Sequence, residues 1–362
     1  MSLHLSEVLE RFLPAYKQAY ALNWQQATAC THISQCRTAA LGQQLWQCDS
    51  CQQQQVVYCS CRDRHCPRCQ GQRTRDWIAA QAANLVQAKY FHLVFTLPHE
   101  LNVMSQYAPE KLYKSLFSAV WQTLSKFASQ HLKTAGELGM TAVLHTWGQT
   151  LTQHIHLHCL IPGGMLSQTE RWQVITKGYL FPVKALSTVF RAKMMQQLRE
   201  HQLEIPSAET LMSKPWTVFS KACLCKPQTV LRYLGRYTRK GVLHESRLQH
   251  IGAESVSFNY RDYQDGNKRK VMTLSGCEFI RRYLSHVLPK GFMRIRHYGL
   301  LANRCRRRKL AIIRGQEKKP KSETETKATE PDKPCWHCPH CHVGQLHLAS
   351  LLIYRPSAIA DG

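Results

Sequence analysis

The chain has 362 residues, with 48 Lys and Arg against 23 Asp and Glu and a formal charge of +25. That length allows one large domain plus small modules, and a cationic excess of this size marks a polyanion partner, nucleic acid or an anionic membrane. No run of about 18 apolar residues exists to span a bilayer, and the opening MSLHLSEVLERFLPAYKQ carries Glu7 and Glu10 inside its apolar pattern with no signal-peptide core, so nucleic acid is the expected partner and the cytoplasm the expected place.

Residues 3 to 41 carry helical apolar spacing through Leu5, Val8, Leu9, Phe12, Leu13 and Tyr16, then a second run from Ala27 to Leu41. Cysteines crowd between Cys30 and Cys69, and an amphipathic helix from about Arg73 leads to FHLVFTL, a buried strand that Pro98 ends. Residues 109 to 133 form the clearest helix, with Leu112, Leu116, Val120, Leu124, Ala128 and Leu132 in one stripe and Pro109 in its first turn. MTAVLHTW and HIHLHCLI read as two strands, and mixed signals run from there to about residue 215. Pro227 opens a helix that Gly241 stops; VSFNYRDY and KRKVMTL form a hairpin around Asp265-Gly266-Asn267; a further helix runs from about Cys277 to Leu288. Residues 317 to 333 are almost devoid of apolar side chains and read as a disordered linker to a small cysteine-rich tail.

The chemistry concentrates in four places. His154, His156 and His158 alternate with Ile155 and Leu157, so all three imidazoles project from one strand face. A single histidine there is usually just a polar position, but three in five residues point to a metal ion. His145 lies in the preceding strand, where an antiparallel neighbour could bring it to the His156 and His158 pair; either His145 or His154 can be the third ligand. Tyr233 and Tyr237 are four apart, on one side of a helix. A core aromatic stripe would look the same, but Arg232, Arg236, Arg239 and Lys240 surround them without any acidic residue, and cations favour a phenolate and hold a phosphate backbone.

Sixteen cysteines without a secretion signal point to zinc rather than disulfides. Cys48-x-x-Cys51 and Cys66-x-x-Cys69 are separated by fourteen residues and are expected to close one tetrahedral structural zinc site. Cys30, His32, Cys36, Cys59, Cys61 and His65 could build a second, and Cys335, Cys338 and Cys341 a third in the tail. The arginines at 62, 64, 68, 73 and 75 give the first module a basic surface suited to DNA.

The strings CRTAALG, SCRDRHCPRCQ, YFHLVFTLPHEL, VLHTWGQTL, HIHLHCLIPGG, YLGRYTRK and FIRRYLSHVLPKGFMRIRHYGLLANR together resemble the HUH-type two-tyrosine rolling-circle transposases of bacterial insertion sequences, the family with an N-terminal zinc-binding domain. The resemblance implies an α+β fold: a ferredoxin-like HUH endonuclease palm, an antiparallel sheet flanked by helices, with a zinc module before it. The expected organisation is a helical zinc-binding, DNA-binding module at 1–85, the tyrosine transposase domain at 86–315, a charged linker at 316–334 and a zinc-knuckle tail at 335–362. It further implies a divalent ion, Mg or Mn, on His156, His158 and His145, and Tyr233 and Tyr237 as nucleophiles. They would nick and rejoin single-stranded DNA at transposon ends and target through 5′-phosphotyrosine intermediates, moving the element by a rolling-circle-like route. Because the covalent bond stores the energy for rejoining, no ATP is needed; a bacterial protein of this kind would associate with the nucleoid when acting. Two other readings compete. A zinc-dependent DNA-binding regulator would use both tyrosines only as core. A small-substrate metallohydrolase would want carboxylates, and no Asp or Glu occurs between Glu137 and Glu170.

Overall fold

The computed structural model describes residues 2–131, 136–175, 180–223, 241–316 and 336–353. Helices α1 (Leu5–Ala19) and α2 (Trp24–Gln35) lead to a hairpin of β1 (Gly42–Cys48) and β2 (Gln54–Tyr58), then α3 (Gln70–Ala82). Next come β3 (Tyr90–Thr96), the single turn α4 (Met104–Tyr107), the long α5 (Pro109–His131), β4 (Gly136–Glu137), β5 (Gly139–Trp147) and β6 (Gln153–Pro162). After β7 (Gly164–Ser167) and β8 (Trp172–Val174) lie α6 (Val183–Glu200), α7 (Ala208–Ser213) and β9 (Val218–Cys223). The last part holds β10 (Leu248–Ile251), β11 (Ser255–Asp262), β12 (Lys268–Ser275), α8 (Gly276–Leu284), β13 (Ile295–Gly299), α9 (Arg306–Gln316) and β14 (Leu346–Ile353). The fold is α+β, and its sheets are antiparallel.

The central sheet has the order β13-β5-β6-β3-β9. Strands and long helices around it follow as β3, α5, β5, β6, α6, β9, a β-α-β-β-α-β succession with β13 added at one edge. Alternation decides its two faces. Phe91, Leu93 and Phe95 of β3, Ala142 and Leu144 of β5, and Ile155, Leu157 and Cys159 of β6 bury one face against Leu112, Leu116 and Val120 of α5 and Phe190 and Met194 of α6. The intervening residues, among them His145, His156 and His158, are left to the opposite face. Helix α6 lies in the stretch read as mixed signals. Its stripe Leu186, Phe190, Met194 keeps helical spacing, but the polar Ser187 and Gln197 are buried beside it, and Ser187 donates to the Trp216 carbonyl.

A second core joins the first residues to later ones. Leu5, Leu9 and Phe12 of α1 pack with Cys30 and Ile33 of α2, and with Val256, Phe258, Phe279, Ile280 and Tyr283. The boundary expected near residue 85 therefore divides the sequence but not the packing. Arg64, expected at a DNA-facing surface, instead turns inward: its guanidinium donates to the carbonyls of Leu288, Pro289 and Phe292. The hairpin β11–β12 is present as expected, with Gly266 and Asn267 at φ 57° and 63° in its turn. The tail is not a separate knuckle, because β14 adds to the hairpin to give the sheet β14-β1-β2. Its expected ligand Cys335 and the linker lie outside the described residues.

Two predictions follow from this packing. Gly276 opens α8 directly against α1, where a Cβ would come within 2.1 Å of the Phe12 ring. Gly276→Ala should cost about 1–3 kcal/mol of stability by overpacking, read as a lowered urea midpoint; an unchanged midpoint would show that the helices give way freely. The second concerns pH. His286 is buried, its Nε2 3.0 Å from the Leu151 carbonyl and its Nδ1 3.1 Å from Thr146 Oγ1, so it pins the β5–β6 turn as a neutral ring. Burial pushes its pKa down to about 4. The unfolded chain takes up that proton near pH 6.5 and the folded one only near 4, so the stability it contributes is complete above about 6.5 and drains away as pH falls towards 4. His297 acts in the same sense, also lowered to about 4 by burial. The urea midpoint should fall between pH 6.5 and 4.5, less steeply in His286→Gln; a flat profile over that window contradicts the assignment.

Candidate active site and metal centres

The open face of the central sheet carries the histidines because two registers agree. β5 and β6 pair with His145 opposite His156 and Val143 opposite His158, and β6 and β3 pair with Val94 opposite His158. Three imidazole nitrogens, one each from His145, His156 and His158, come within 4.8 Å of one another. The rings of His145 and His158 are 4.5 Å apart between centroids and those of His156 and His158 4.8 Å. His154 stays at the exposed start of β6 and is not part of that cluster; its carbonyl instead lies 2.6 Å from His156 Nδ1. Of the two alternatives for a third ligand, geometry brings His145 to the pair.

One partner is missing from the sequence reading. His92 of β3 stacks on His158, with Nε2 and Nδ1 2.9 Å apart. A lone histidine in FHLVFTL reads as an accident of a buried strand, and only the pairing of β3 with β6 reveals its neighbour. Burial, helped by the His156 charge, pushes His92 down to about 4, and burial with the His154 charge does the same to His156. Both rings are therefore neutral at physiological pH, the form in which imidazole takes a metal. Trp147 stacks on His145 at 4.7 Å, and the Arg294 guanidinium lies 5.7 Å from the Trp147 ring.

Two clefts meet beside Trp147 and Gly241. One is lined by Arg247, Arg261, Arg269 and Tyr260; the other by Trp77, Arg294 and Arg306. No Asp or Glu lines either among the described residues. Cations interleaved with aromatic rings suit a single-stranded polyanion, whose bases stack while its phosphates are neutralised. The expected tyrosine helix, with Tyr233, Tyr237, Arg232, Arg236, Arg239 and Lys240, lies outside the described residues. The described chain on either side of it is placed: β9 ends at Cys223, opposite Tyr90 of β3, which separates it from β6, and Gly241 lines both clefts.

The cysteines correct the sequence reading. Cys48 and Cys51 do not join Cys66 and Cys69. Cys66 and Cys69 instead group with Cys36 and Cys61, and Cys48 and Cys51 with Cys338 and Cys341. The hairpin explains why. Cys36 and Cys61 sit at its base, where Arg37 N–H donates to the Cys59 carbonyl and Cys59 N–H to that of Gly42. Cys48 ends the seven-residue β1 at the tip, roughly 20 Å away at the rise of a strand. In the first group Sγ of Cys69 is 3.5 Å from that of Cys36 and 3.6 Å from that of Cys61. Zinc–sulfur bonds of about 2.3 Å set tetrahedral ligand edges of roughly 3.8 Å, so these thiols fit a structural zinc. The other candidates have different roles. Cys30 is buried in the apolar core and its thiol is pushed up to about 11 by burial. His32 and His65 both face the Asp63 carboxylate, at 2.9 and 3.0 Å.

Comparison with known proteins places two family matches along the chain. Residues 8–97 match the family described as "Transposase zinc-binding domain" and residues 139–309 that described as "Putative transposase". The chain is 38% identical over 372 residues to "Putative transposase y4qJ" of Sinorhizobium fredii, covering 94% of each. It is 27% identical over 305 residues to "Transposase for insertion sequence element IS801" of Pseudomonas savastanoi pv. phaseolicola, covering 76% of this chain and 70% of the other. Solved structures of the conjugative relaxase TrwC with oriT DNA are similar at 15% identity, over 31% of this chain and 45% of that one, with a TM-score of 0.25. A metal-bound form is similar at 12% identity, over 67% and 97%, with a TM-score of 0.26. No helix among the described residues is long and apolar enough to cross a membrane. With the one relative matched along nearly its whole length and both family descriptions satisfied, the chain belongs to the insertion-sequence transposases that join an N-terminal zinc-binding domain to a transposase domain.

Proposed function

We propose that this transposase is an HUH-type nuclease and strand transferase acting on single-stranded DNA at transposon ends and target, with Tyr233 and Tyr237 as nucleophiles. The observation that carries the reading is the convergence of His145, His156 and His158 on one open sheet face. The β-α-β-β-α-β succession behind that face supports a ferredoxin-like palm. His145, His156 and His158 would hold a divalent ion, Mg or Mn, which supplies Lewis-acid polarisation of the scissile phosphate.

The chain's own groups do the rest. With Nδ1–H of His156 donating to the His154 carbonyl, its Nε2 carries the lone pair; with Nδ1–H of His158 donating to His92, the same holds for His158. His92 and the His154 carbonyl thus fix which nitrogen each ligand offers. In the covalent step a tyrosine oxygen bonds to phosphorus as the bond from phosphorus to the 3′ oxygen breaks with its electron pair, and the phenol proton is in net transferred to that oxygen, giving a free 3′-hydroxyl and a 5′-phosphotyrosine. Attack by a 3′-hydroxyl on that linkage reverses the sequence and rejoins DNA, so no ATP enters. Two tyrosines let one strand stay attached while the second attacks the next junction. The basic and aromatic clefts beside Trp147 would lead the strand to them.

Three sets of variants test this reading on labelled oligonucleotides carrying the element's ends. His156→Ala and His158→Ala should abolish cleavage, as should chelator, while DNA binding changes little; full nicking by the double variant rules out the metal role. His92→Phe should weaken divalent-ion affinity about 10–100-fold, and His92→Gln, which keeps an acceptor for His158, should restore part of it; equal affinities in both would reduce His92 to packing. Phenylalanine at 233 and 237 together should leave folding and end binding intact but yield no protein–DNA adduct. Undiminished cleavage there, or an adduct mapped to another residue, ends the proposal.

A further inference from the structure

The tail of the chain returns to the tip of the first hairpin and brings two more thiols to it. Sγ of Cys48 lies 3.7 Å from that of Cys341, and Sγ of Cys51 3.7 Å from that of Cys338. Both distances match the roughly 3.8 Å edge of a zinc tetrathiolate, and both are far beyond the bond of about 2.05 Å in a disulfide.

The two halves are built alike. In each, a Cys-x-x-Cys turn is closed by a bond from the residue after the second cysteine to the carbonyl of the first: Gln52 N–H to Cys48 and His342 N–H to Cys338. Both of those residues take left-handed backbone, φ 60° and 59°, which non-glycine residues adopt only under constraint. In each half a backbone N–H also points at a sulfur, Cys51 N–H at Cys48 Sγ (3.5 Å) within the first turn and Gly344 N–H at Cys341 Sγ (3.4 Å) just past the second. Such donors stabilise thiolates, the form zinc takes. Gly344 has no room for a side chain, since a Cβ would come within 2.5 Å of Cys48 Sγ. Asp49 ties the turns together: its carboxylate accepts from Gln345 N–H (2.8 Å) and lies 3.2 Å from His347 Nε2, while its own N–H donates to the Gln345 carbonyl. From there β14 runs along β1, with Leu346 opposite Cys48.

We propose that Cys48, Cys51, Cys338 and Cys341 form a second structural zinc site, which clasps the tail to the N-terminal hairpin. It is distinct from the Cys36, Cys61, Cys66 and Cys69 site, and two of its ligands lie beyond the residues matched to the zinc-binding domain. Each half supplies two thiolates, too few to close a tetrahedral site, so neither holds the ion alone. The metal supplies the link that makes the tail's position part of the N-terminal fold.

The purified protein, with its chain intact, should carry two zinc ions, measured by elemental analysis with native mass spectrometry. Cys338→Ser/Cys341→Ser should carry one, as should Cys48→Ser. One zinc in the parent protein, or two in the Cys338→Ser/Cys341→Ser variant, overturns the proposal. A measurement on the unaltered protein guards against misfolded variants: thiol alkylation mapped by peptide mass spectrometry, with and without chelator. Cys51 is exposed, yet with zinc it should resist alkylation together with Cys48, Cys338 and Cys341, and chelator should release the four together. Rapid labelling of Cys51, Cys338 and Cys341 in zinc-loaded protein would show that no ion holds them.

Discussion

The register between β5, β6 and β3 is the constraint on which the site depends. Because side chains alternate along a strand, the residues that bury Leu144, Leu157 and Phe95 under the helices force His145, His156 and His158 onto the other face. A slip of one residue in β6 would drive the imidazoles into an apolar core and expose Ile155 and Leu157. The hydrophobic effect acting on one face therefore holds the chemistry on the other. Helices α5 and α6 contribute nothing to the site directly, yet their apolar stripes set its geometry.

The open face is supported from parts of the chain far away in sequence. His92 comes from β3, Arg294 from the residues before β13, and His286 from just beyond α8, where it pins the β5–β6 turn. Arg64, inside the cysteine-rich region, donates to three carbonyls around Phe292. The cysteine-rich region is thus packed against the segment that flanks the site, and α1 is buried against α8 in the same core. Zinc, which a small loop-rich region needs to hold its shape, would therefore affect the clefts as well as its own fold.

Charge is distributed in the same economical way. Arg247, Arg261 and Arg269 line one cleft and Arg294 and Arg306 the other, with Trp147 lining both and stacked on His145. Repulsion among these groups costs the folded protein stability that a bound polyanion would return.

The sequence by itself determined the local elements and the clusters of histidine and cysteine. Period-two alternation placed the three histidines on one strand face, helical spacing located α1, α2 and α5, and sixteen cysteines indicated zinc. These are properties of short stretches, where neighbouring side chains fix the backbone. What only the tertiary structure decided are the groupings that cross long stretches of chain. Cys48 and Cys51 look like partners of Cys66 and Cys69 in the sequence, but a rigid hairpin holds the pairs at opposite ends, and each finds other thiols. That His145 rather than His154 lies close to His156 and His158, and that His92 meets His158, depends on which residue a neighbouring strand sets opposite, a register that no single strand contains. The tail's place beside β1 is the extreme case: its ladder and its thiols meet residues almost three hundred positions earlier, at a distance in sequence where spacing carries no signal.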